Sequence, residues 1–391
     1  MIVLGTGHSP FEDNWAAPLY RAYARRVRML YIHPDSSPFA PWRAHRWRSR
    51  IATSPTSGDG GSQGGSQERP QSRQVEVVWL PAFLPGNRWG PIALFNRWLG
   101  LRLLIGELRR RVDPQVVLLS LRPDLVPGHC GATLRVYGIT DNYAALSPEP
   151  TAQRRVEDSH RHLLRVADLV WTTADSLAQT ARQVRDDVLE SSNGVDFDAF
   201  SRGAELATPE ALGRCPRPRV GLVGRLNDRL DWELIEALCH RRPDLSVVLV
   251  GPVYEAGPDT RGALARLAGV ANFRHLEGIP EDDMPRWVAA FDVCLIPYRR
   301  TPATLDINPL KLYQSLAAGR PVVSTPLPAV FAFDDTIAIA DDVAGFEAAI
   351  DQALVDAHDP AAIQRRRQRV ESFDWQTLAD TQLSWVRDRL T

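Results

Sequence analysis

The chain has 391 residues, of which 44% are hydrophobic and 24% charged, a composition typical of a soluble globular protein with room for two domains. Its formal net charge of −1 excludes a general polyanion-binding protein. The four cysteines are far apart and form no CxxC pair, so the sequence predicts neither a disulfide framework nor a zinc site.

The first half of the chain alternates short strands with helices. Strands are predicted at 2–4, 28–33, 75–80, 115–120, 134–140 and 168–173, and helices near 14–27, 91–112 and 151–166. Such alternation predicts a parallel sheet with helices on both faces. Residues 53–73 interrupt the pattern with Gly, Ser, Gln and Pro and without large apolar side chains, which predicts a disordered insertion in a loop.

The second half repeats the same plan. Strands are predicted at 218–224, 245–251, 272–278, 292–298, 321–325 and 336–340, with helices near 230–241, 259–267 and 281–290, a helix around Lys311, and three more at the end of the chain. The polar stretch 201–217 ends in prolines and is therefore the predicted boundary region. We predict a first domain at 1–205, a second at 206–372 and a final helix at 373–391.

The sequence contains a single lysine, Lys311, among its 46 lysine and arginine residues. Asn308 is suited to cap a helix and Pro309 to begin it, so Lys311 is predicted to lie in the first turn, with Gly319 ending the helix. A lysine there is unfavourable for the helix dipole but suits a bound anion, and Gln314 lies on the same face. The alternative is a solvated lysine without a role.

Four stretches, in order, carry a resemblance to a known family. They are SNGVDFDAF (192–200), GLVGRLNDRLDWELIEAL (221–238), LEGIPEDDMPRWVAAFDVCLIPY (276–298) and NPLKLYQSLAAGRPVVST (308–325). Together they resemble the nucleotide-sugar-binding half of GT-B-fold glycosyltransferases of the group 1 type. TDNYAAL (140–146) is similar to bacterial exopolysaccharide and teichuronic-acid-type glycosyltransferases.

The resemblance implies two Rossmann-like domains facing across a cleft, with the nucleotide sugar on the second, the acceptor on the first and the C-terminal helix crossing back to the first. Many relatives carry two glutamates where this chain has Asp306 and Gln314, and both departures argue against their retaining mechanism. A lysine followed three residues later by glutamine is similar to the inverting xanthan glucuronosyltransferase, where the lysine meets the nucleotide's phosphates. The resemblance therefore implies this role for Lys311, with Gln314 nearby.

Without a metal, positive charge and backbone N–H groups have to stabilise the leaving diphosphate. The candidate donor-binding residues are Lys311, Gln314, Arg225, Arg229, Gly224, Tyr298, Ile279, Asp306 and Asn308. Tyr298 and Ile279 are predicted to lie near the uracil, the latter through its backbone. The alternatives are that the two arginines are surface residues of an arginine-rich chain and that Tyr298 and Ile279 belong to the core.

The candidate catalytic base is Asp141, because it follows the strand at 134–140 and would face the cleft. The alternative is a helix cap or turn aspartate. His8 is the second candidate, in the loop after the first strand, where another branch of inverting relatives has a catalytic histidine; a structural histidine is the alternative. Asp13, in the same loop, is placed to orient His8 or to act as the base.

The predicted function is a metal-independent, inverting transfer of a sugar from a nucleotide donor, a UDP-sugar, to a lipid-linked or polysaccharide acceptor in cell-surface glycan synthesis. A silent nucleotide-sugar-binding subunit and a GT-B-fold sugar-nucleotide epimerase remain alternatives, and no nucleic acid is expected as a partner. The sequence lacks a signal-peptide pattern and any apolar run of roughly 20 residues, so we expect a cytoplasmic protein. The aromatic and basic stretch 87–111 is either a packed helix or a membrane-docking one.

Overall fold

The computed structural model describes residues 1–6, 16–32, 50–51, 75–78, 80, 90–123, 128–147, 149–254 and 257–391. They form two units, the first made of Met1–Ser191 and Gln376–Thr391 and the second of Ser192–Trp375. The predicted insertion at 53–73 and the candidate residues His8 and Asp13 lie outside the described residues.

The described part of the first unit is built on one eight-stranded sheet in the order β3-β4-β2-β1-β5-β6-β7-β8. All neighbouring strands are parallel except β3 and β4, which are antiparallel. The strands are β1 (Ile2–Thr6), β2 (Arg28–Ile32), β3 (Arg50–Ile51), β4 (Glu76–Val78), β5 (Val116–Ser120), β6 (Leu134–Ile139), β7 (Leu169–Thr172) and β8 (Val188–Glu190). Its helices are α1 (Ala16–Arg26), α2 (Gly90–Arg111), α3 (Pro150–Val166), α4 (Asp175–Arg182) and, from Gln376 onwards, the C-terminal α13 (Trp375–Leu390).

The described part of the second unit is built on a six-stranded parallel sheet in the order β11-β10-β9-β12-β13-β14. The strands are β9 (Arg219–Val223), β10 (Ser246–Val250), β11 (Phe273–Leu276), β12 (Val293–Ile296), β13 (Val322–Ser324) and β14 (Ala338–Ile339). The helices are α5 (Phe197–Ser201), α6 (Glu210–Gly213), α7 (Trp232–Arg241), α8 (Pro258–Leu267), α9 (Met284–Ala289), α10 (Leu310–Ala317), α11 (Val343–Val355) and α12 (Pro360–Val370).

The second sheet is covered on both faces. Along β10, Val248 and Val250 pack into one hydrophobic cluster, whereas Val247 and Leu249 pack into the cluster on the opposite face. A strand that is buried on both faces needs a continuous apolar sequence, which is what SVVLV supplies. The prediction of doubly wound parallel sheets is therefore confirmed.

The boundary between the units lies between Ser191 and Ser192, before the position predicted at 205/206. The stretch 201–217, predicted as a polar boundary region, supplies core side chains of its own: Leu212 and Cys215 are buried in one hydrophobic cluster of the second unit. Leu212 lies on α6, a helix of four residues that is too short to give a periodic pattern. The second boundary likewise lies between Trp375 and Gln376 rather than at 372/373.

Helix α13 packs on the first unit, as predicted from the resemblance. The Tyr23 hydroxyl donates to Gln382 Oε1 at 2.6 Å, and Gln382 Nε2 donates to Ser191 Oγ at 2.6 Å. Arg26 on α1 forms two hydrogen bonds with the Asp380 carboxylate, at 2.6 and 2.8 Å. Because Gln382 is buried and both ends of its amide are satisfied, it specifies how this helix docks.

Candidate functional site

The second sheet changes winding direction between β9 and β12. From β9 the chain proceeds to β10 and β11 on one side, and from β12 it proceeds to β13 and β14 on the other. In open parallel sheets, ligands bind in the crevice outside the carboxyl ends of the strands at such a switch point. Gly224 directly follows β9, and Tyr298 lies two residues past β12, so both candidates border this crevice.

The ammonium group of Lys311 lies in the same crevice. Its Nζ donates a hydrogen bond to the Tyr298 hydroxyl at 3.1 Å. A Cβ atom placed on Gly224 would be 2.8 Å from Lys311 Nζ and 2.9 Å from its Cε, so the lysine tip lies against bare backbone. Gly224 also has φ +140°, a conformation that other residues rarely adopt. The structure therefore brings together the predicted residues Lys311, Tyr298 and Gly224.

Helix α10 presents its N-terminus beside this ammonium. The helix begins at Leu310 and Pro309 occupies the cap position, where no side chain accepts a hydrogen bond from the first turn. The first-turn N–H groups and the helix dipole therefore add positive potential next to Lys311. As predicted, Gly319, with φ +75°, follows the end of the helix.

The prediction that Asn308 caps this helix is wrong. Asn308 is buried and its backbone carbonyl accepts a hydrogen bond from Asn193 Nδ2 at 2.7 Å, while its own Nδ2 approaches Ser192 Oγ at 3.4 Å. These contacts tie the segment before α10 to the SNG sequence at 192–194, so Asn308 positions the helix start rather than capping it.

The loop after β9 is fixed from both sides. Leu226 N–H donates to the Pro252 carbonyl at 2.9 Å and Tyr254 N–H donates to the Leu226 carbonyl at 3.0 Å. On the other side, Asp231 N–H donates to the Pro297 carbonyl at 2.7 Å, and the Arg229 carbonyl accepts from Arg299 N–H at 2.8 Å. These bonds hold the backbone of 224–231 in place before any ligand arrives, which favours preorganised electrostatic stabilisation.

Arg225 directly follows Gly224 in this loop and packs against an aromatic ring. Its Cζ lies 4.3 Å from the ring centroid of Tyr254, which is a cation–π distance. Sequence reasoning did not identify Tyr254, and the one available signal was an aromatic residue shortly after the carboxyl end of a buried strand. The Arg229 side chain remains a candidate on its loop position alone.

The remaining donor-site candidates are placed as follows. The Ile279 side chain packs against a hydrophobic cluster, so only its backbone is left for a ligand. Gln314 is half-buried on α10, one turn after Lys311, and Asp306 is half-buried in the segment before α10. The roles predicted for these three residues stay predictions.

In the first unit, Asp141 lies just past the carboxyl end of β6 and is half-buried. The residues around it form a turn, in which Asn142 Oδ1 accepts from Ala145 N–H at 3.0 Å and Thr140 Oγ1 is 2.7 Å from the Tyr143 hydroxyl. Since α3 begins only at Pro150, Asp141 does not cap a helix. The position at a carboxyl edge is confirmed, and the role as a base stays a prediction.

The described residues contain neither a metal-binding cluster nor a membrane-spanning helix. No group of three or more His, Cys, Asp and Glu residues in the described part of the chain is arranged to hold a metal ion. None of the described helices is long and apolar enough to cross a membrane.

Comparison with known proteins finds a family model that matches part of the second unit. Residues 217–356 match the family model described as "Glycosyl transferases group 1". TuaH of Bacillus subtilis (strain 168), named for teichuronic acid biosynthesis and glycosyl transfer, is 25% identical over 233 residues, covering 57% of each chain. A GDP-mannose-dependent alpha-(1-6)-phosphatidylinositol monomannoside mannosyltransferase of Mycolicibacterium smegmatis (strain ATCC 700084 / mc(2)155) is 30% identical over 202 residues, covering 47% of this chain and 52% of the relative. The chain thus spans about half the length of the curated relatives it matches.

Solved structures match over the whole length. Anabaena HepE, solved in complex with UDP-glucose, has a TM-score of 0.68 and 16% identity over 99% of this chain and 100% of that one. Sucrose-phosphate synthase from Thermosynechococcus elongatus has a TM-score of 0.70 and 15% identity over 99% and 98%. At these identities the matches show the fold alone, and they confirm the GT-B architecture.

Proposed function

We propose that this chain transfers a sugar from a nucleotide donor to an acceptor hydroxyl, because residues 217–356 match the group 1 glycosyltransferase model and the fold is GT-B. The observation that carries the proposal is the position of the Lys311 ammonium, at the switch point of the second sheet and against Gly224. A compact cation beside helix N–H groups is the arrangement that a leaving diphosphate requires.

The proposed donor is a UDP-sugar. Its diphosphate binds between Lys311, the N-terminus of α10 and the Gly224 backbone, where a larger residue would exclude the phosphate. Arg225, whose guanidinium lies over the Tyr254 ring, adds a second positive charge in the loop that follows Gly224. The complex of HepE with UDP-glucose, a structure of the same fold, supports the choice of nucleotide.

The proposed reaction inverts the anomeric centre and uses no metal. The acceptor hydroxyl attacks the anomeric carbon and transfers its proton to the Asp141 carboxylate, while the bond from that carbon to the diphosphate breaks. The released UDP keeps the bonding electrons, and the second unit's positive groups stabilise its additional charge. Asp306 and Gln314 stand where the retaining relatives have glutamates, which favours this route over a retaining one.

The proposed acceptor is a lipid-linked or polysaccharide glycan at the cytoplasmic face of the plasma membrane, and α2 supports contact with that surface. One face of α2 packs into the core through Leu101, Leu104 and Ile105. Its opposite side exposes Phe95 and Leu103, which retain 42% and 51% of their accessible surface, near exposed arginines at 102 and 109–111. Exposed apolar side chains surrounded by arginines are typical of helices that dock on anionic lipid.

Membrane contact is tested by sedimentation with phosphatidylcholine vesicles that contain or lack phosphatidylglycerol. Binding only to the anionic vesicles, reduced by Leu103→Ser, supports the docking role. Val355→Ser is the control, because Val355 is an apolar residue that is even more exposed than Leu103, at 78%, but belongs to the second unit. Equal sedimentation of all three proteins would refute it.

Donor binding is tested by calorimetric titration of UDP and UMP into the wild type and Lys311→Ala, without added metal. We expect UDP to bind the wild type and to lose at least about tenfold in affinity in the variant, or about 1.4 kcal/mol. UMP, which lacks the second phosphate, should lose less. Equal UDP binding by both proteins would refute the site. Binding without transfer to any acceptor would favour a nucleotide-sugar-binding subunit instead.

A further inference from the structure

The two sheets carry matching arginine–tyrosine contacts at their carboxyl edges. In the second unit, Arg225 lies two residues past β9 and Tyr254 four residues past β10, with 4.3 Å between the guanidinium carbon and the ring centroid. In the first unit, Arg122 lies two residues past β5 and Tyr143 four residues past β6, with 5.2 Å between the same points. Both distances are within cation–π range.

The contact in the first unit also borders a switch point. The first sheet runs from β1 to β2 in one direction and from β5 to β6 in the other, so its crevice opens between β1 and β5. Arg122 follows one of these two strands, as Arg225 does in the second sheet. In each unit the tyrosine follows the neighbouring strand on the side away from the crevice. Arg122 therefore has the position in the first sheet that Arg225, a proposed diphosphate-binding residue, has in the second.

The Tyr143 ring is a fixed support. Its hydroxyl is 2.7 Å from Thr140 Oγ1 and 3.3 Å from the Leu121 carbonyl, so the loops after β5 and β6 are joined at this side chain. Arg122 itself is exposed, and among the described residues no carboxylate pairs with it. An oriented guanidinium with free N–H groups presents a fork that matches phosphate oxygens.

We propose that Arg122, supported by Tyr143, binds a phosphate or diphosphate group of the acceptor. The inference rests on the proposed function, because it assumes that the first unit binds the acceptor. Asp141, the proposed base, belongs to the same turn as Tyr143, so a phosphate bound at Arg122 anchors the acceptor on the loop that carries the base. A phosphorylated lipid carrier and a phosphorylated sugar offer the same chemistry here, and the test separates them.

The test is a titration of farnesyl diphosphate, farnesol and glucose 6-phosphate into the full chain carrying Lys311→Met, so that the donor-site cation does not contribute. We expect farnesyl diphosphate to bind more tightly than farnesol, and Arg122→Gln to weaken it at least about tenfold. Tyr143→Leu, which removes the ring, should weaken it more than Tyr143→Phe, which keeps the ring. Arg154→Gln is the control, since Arg154 is exposed on α3 in the same unit.

Equal affinity of the Arg122→Gln and Arg154→Gln proteins for farnesyl diphosphate would overturn the proposal. Equal binding of farnesol and farnesyl diphosphate would also overturn it, and so would the failure of both farnesyl diphosphate and glucose 6-phosphate to bind. An Arg122-dependent response to glucose 6-phosphate alone would support the site and assign it to a phosphorylated sugar. UDP is titrated separately into the wild type and Arg122→Gln, and its affinity should be the same in both. If UDP fails to bind, the proposed function fails, while the farnesyl diphosphate result still decides the acceptor site.

Discussion

The substitution Gly224→Ala tests the donor site most directly, because it changes the crevice without removing any charged group. The new methyl group would lie 2.8 Å from Lys311 Nζ and 2.9 Å from its Cε, closer than van der Waals contact allows. Since both atoms are at the flexible end of a long side chain, the lysine will move rather than the backbone. Its hydrogen bond to Tyr298, at 3.1 Å in the wild type, should then be lost.

The substitution should change two quantities that can be measured separately, the free energy of unfolding and the affinity for UDP. The backbone term comes from φ +140°, which an alanine adopts only with strain, and should lower the free energy of unfolding by about 1 to 3 kcal/mol. The binding term comes from the displaced ammonium and the methyl group in the phosphate crevice, and should weaken UDP binding at least about tenfold, or 1.4 kcal/mol. Urea denaturation measures the first and calorimetric titration of UDP the second.

Two other glycines of the second unit serve as matched controls. Gly278 has φ +57° and Gly269 carries no positive φ, and a Cβ atom on either would meet nothing within 4 Å. Gly278→Ala should therefore cost stability, which makes it the control for the strain of a positive φ, and Gly269→Ala should change neither stability nor UDP affinity. If folded Gly224→Ala protein binds UDP as tightly as the Gly269→Ala control, the diphosphate does not lie at this crevice and the reasoning is refuted.

Three further predictions follow from the same structure. Lys311→Arg keeps the charge but should weaken UDP binding several-fold in calorimetry, since a planar guanidinium does not fit against Gly224 as a slender ammonium does; unchanged affinity would show that only charge matters. Asp141→Asn should lower the transfer rate about 10²- to 10⁴-fold in a UDP-release assay while UDP affinity stays constant, and a rate near that of the wild type would assign the base elsewhere. Burial, with a smaller contribution from Arg161, lowers the pKa of His160 from 6.5 to about 4, so the unfolded chain binds more protons between these values. Stability should therefore fall as the pH drops from 6.5 to 4, by at most about 3 kcal/mol, and urea unfolding of His160→Gln should show a smaller fall than the wild type; parallel curves would exclude His160 as a cause.

The sequence was sufficient to predict most of the fold because the strands are short apolar runs between turn residues. SVVLV and VVLLS are buried at every position in the structure, as continuous hydrophobic runs of parallel sheets are. The unpredicted strands are those without such a signal: β8 has three residues, of which only Val188 is buried, and β3 has two residues. Their pairing depends on a neighbouring strand, which no local pattern records.

The candidate site residues likewise divide into those that a local sequence pattern reveals and those that depend on contacts with distant parts of the chain. Gly224, Lys311 and Asp141 were identifiable because each combines a chemically distinctive residue with a strand end or helix start. Asn308 was misassigned because its local pattern is that of a cap, while its contacts are made with Asn193, far away in sequence. Tyr254 and Tyr143 were missed for a related reason: what matters is the arginine each ring touches, and that arginine follows a different strand.

The single lysine of an arginine-rich chain has a geometric explanation. Two buried arginines are surrounded by several acceptors: Arg219 donates to the Cys215 and Gly213 carbonyls, at 2.8 and 3.3 Å, and Arg366 bonds to Asp356 and approaches the Gly319 carbonyl at 3.4 Å. The forked guanidinium satisfies such sets, and an ammonium on a single stem does not. The surroundings of Lys311 differ, because its ammonium group contacts one hydroxyl group, that of Tyr298, and the backbone of Gly224. There the compact group fits, and its remaining N–H bonds stay directed at the crevice where the diphosphate is proposed to bind.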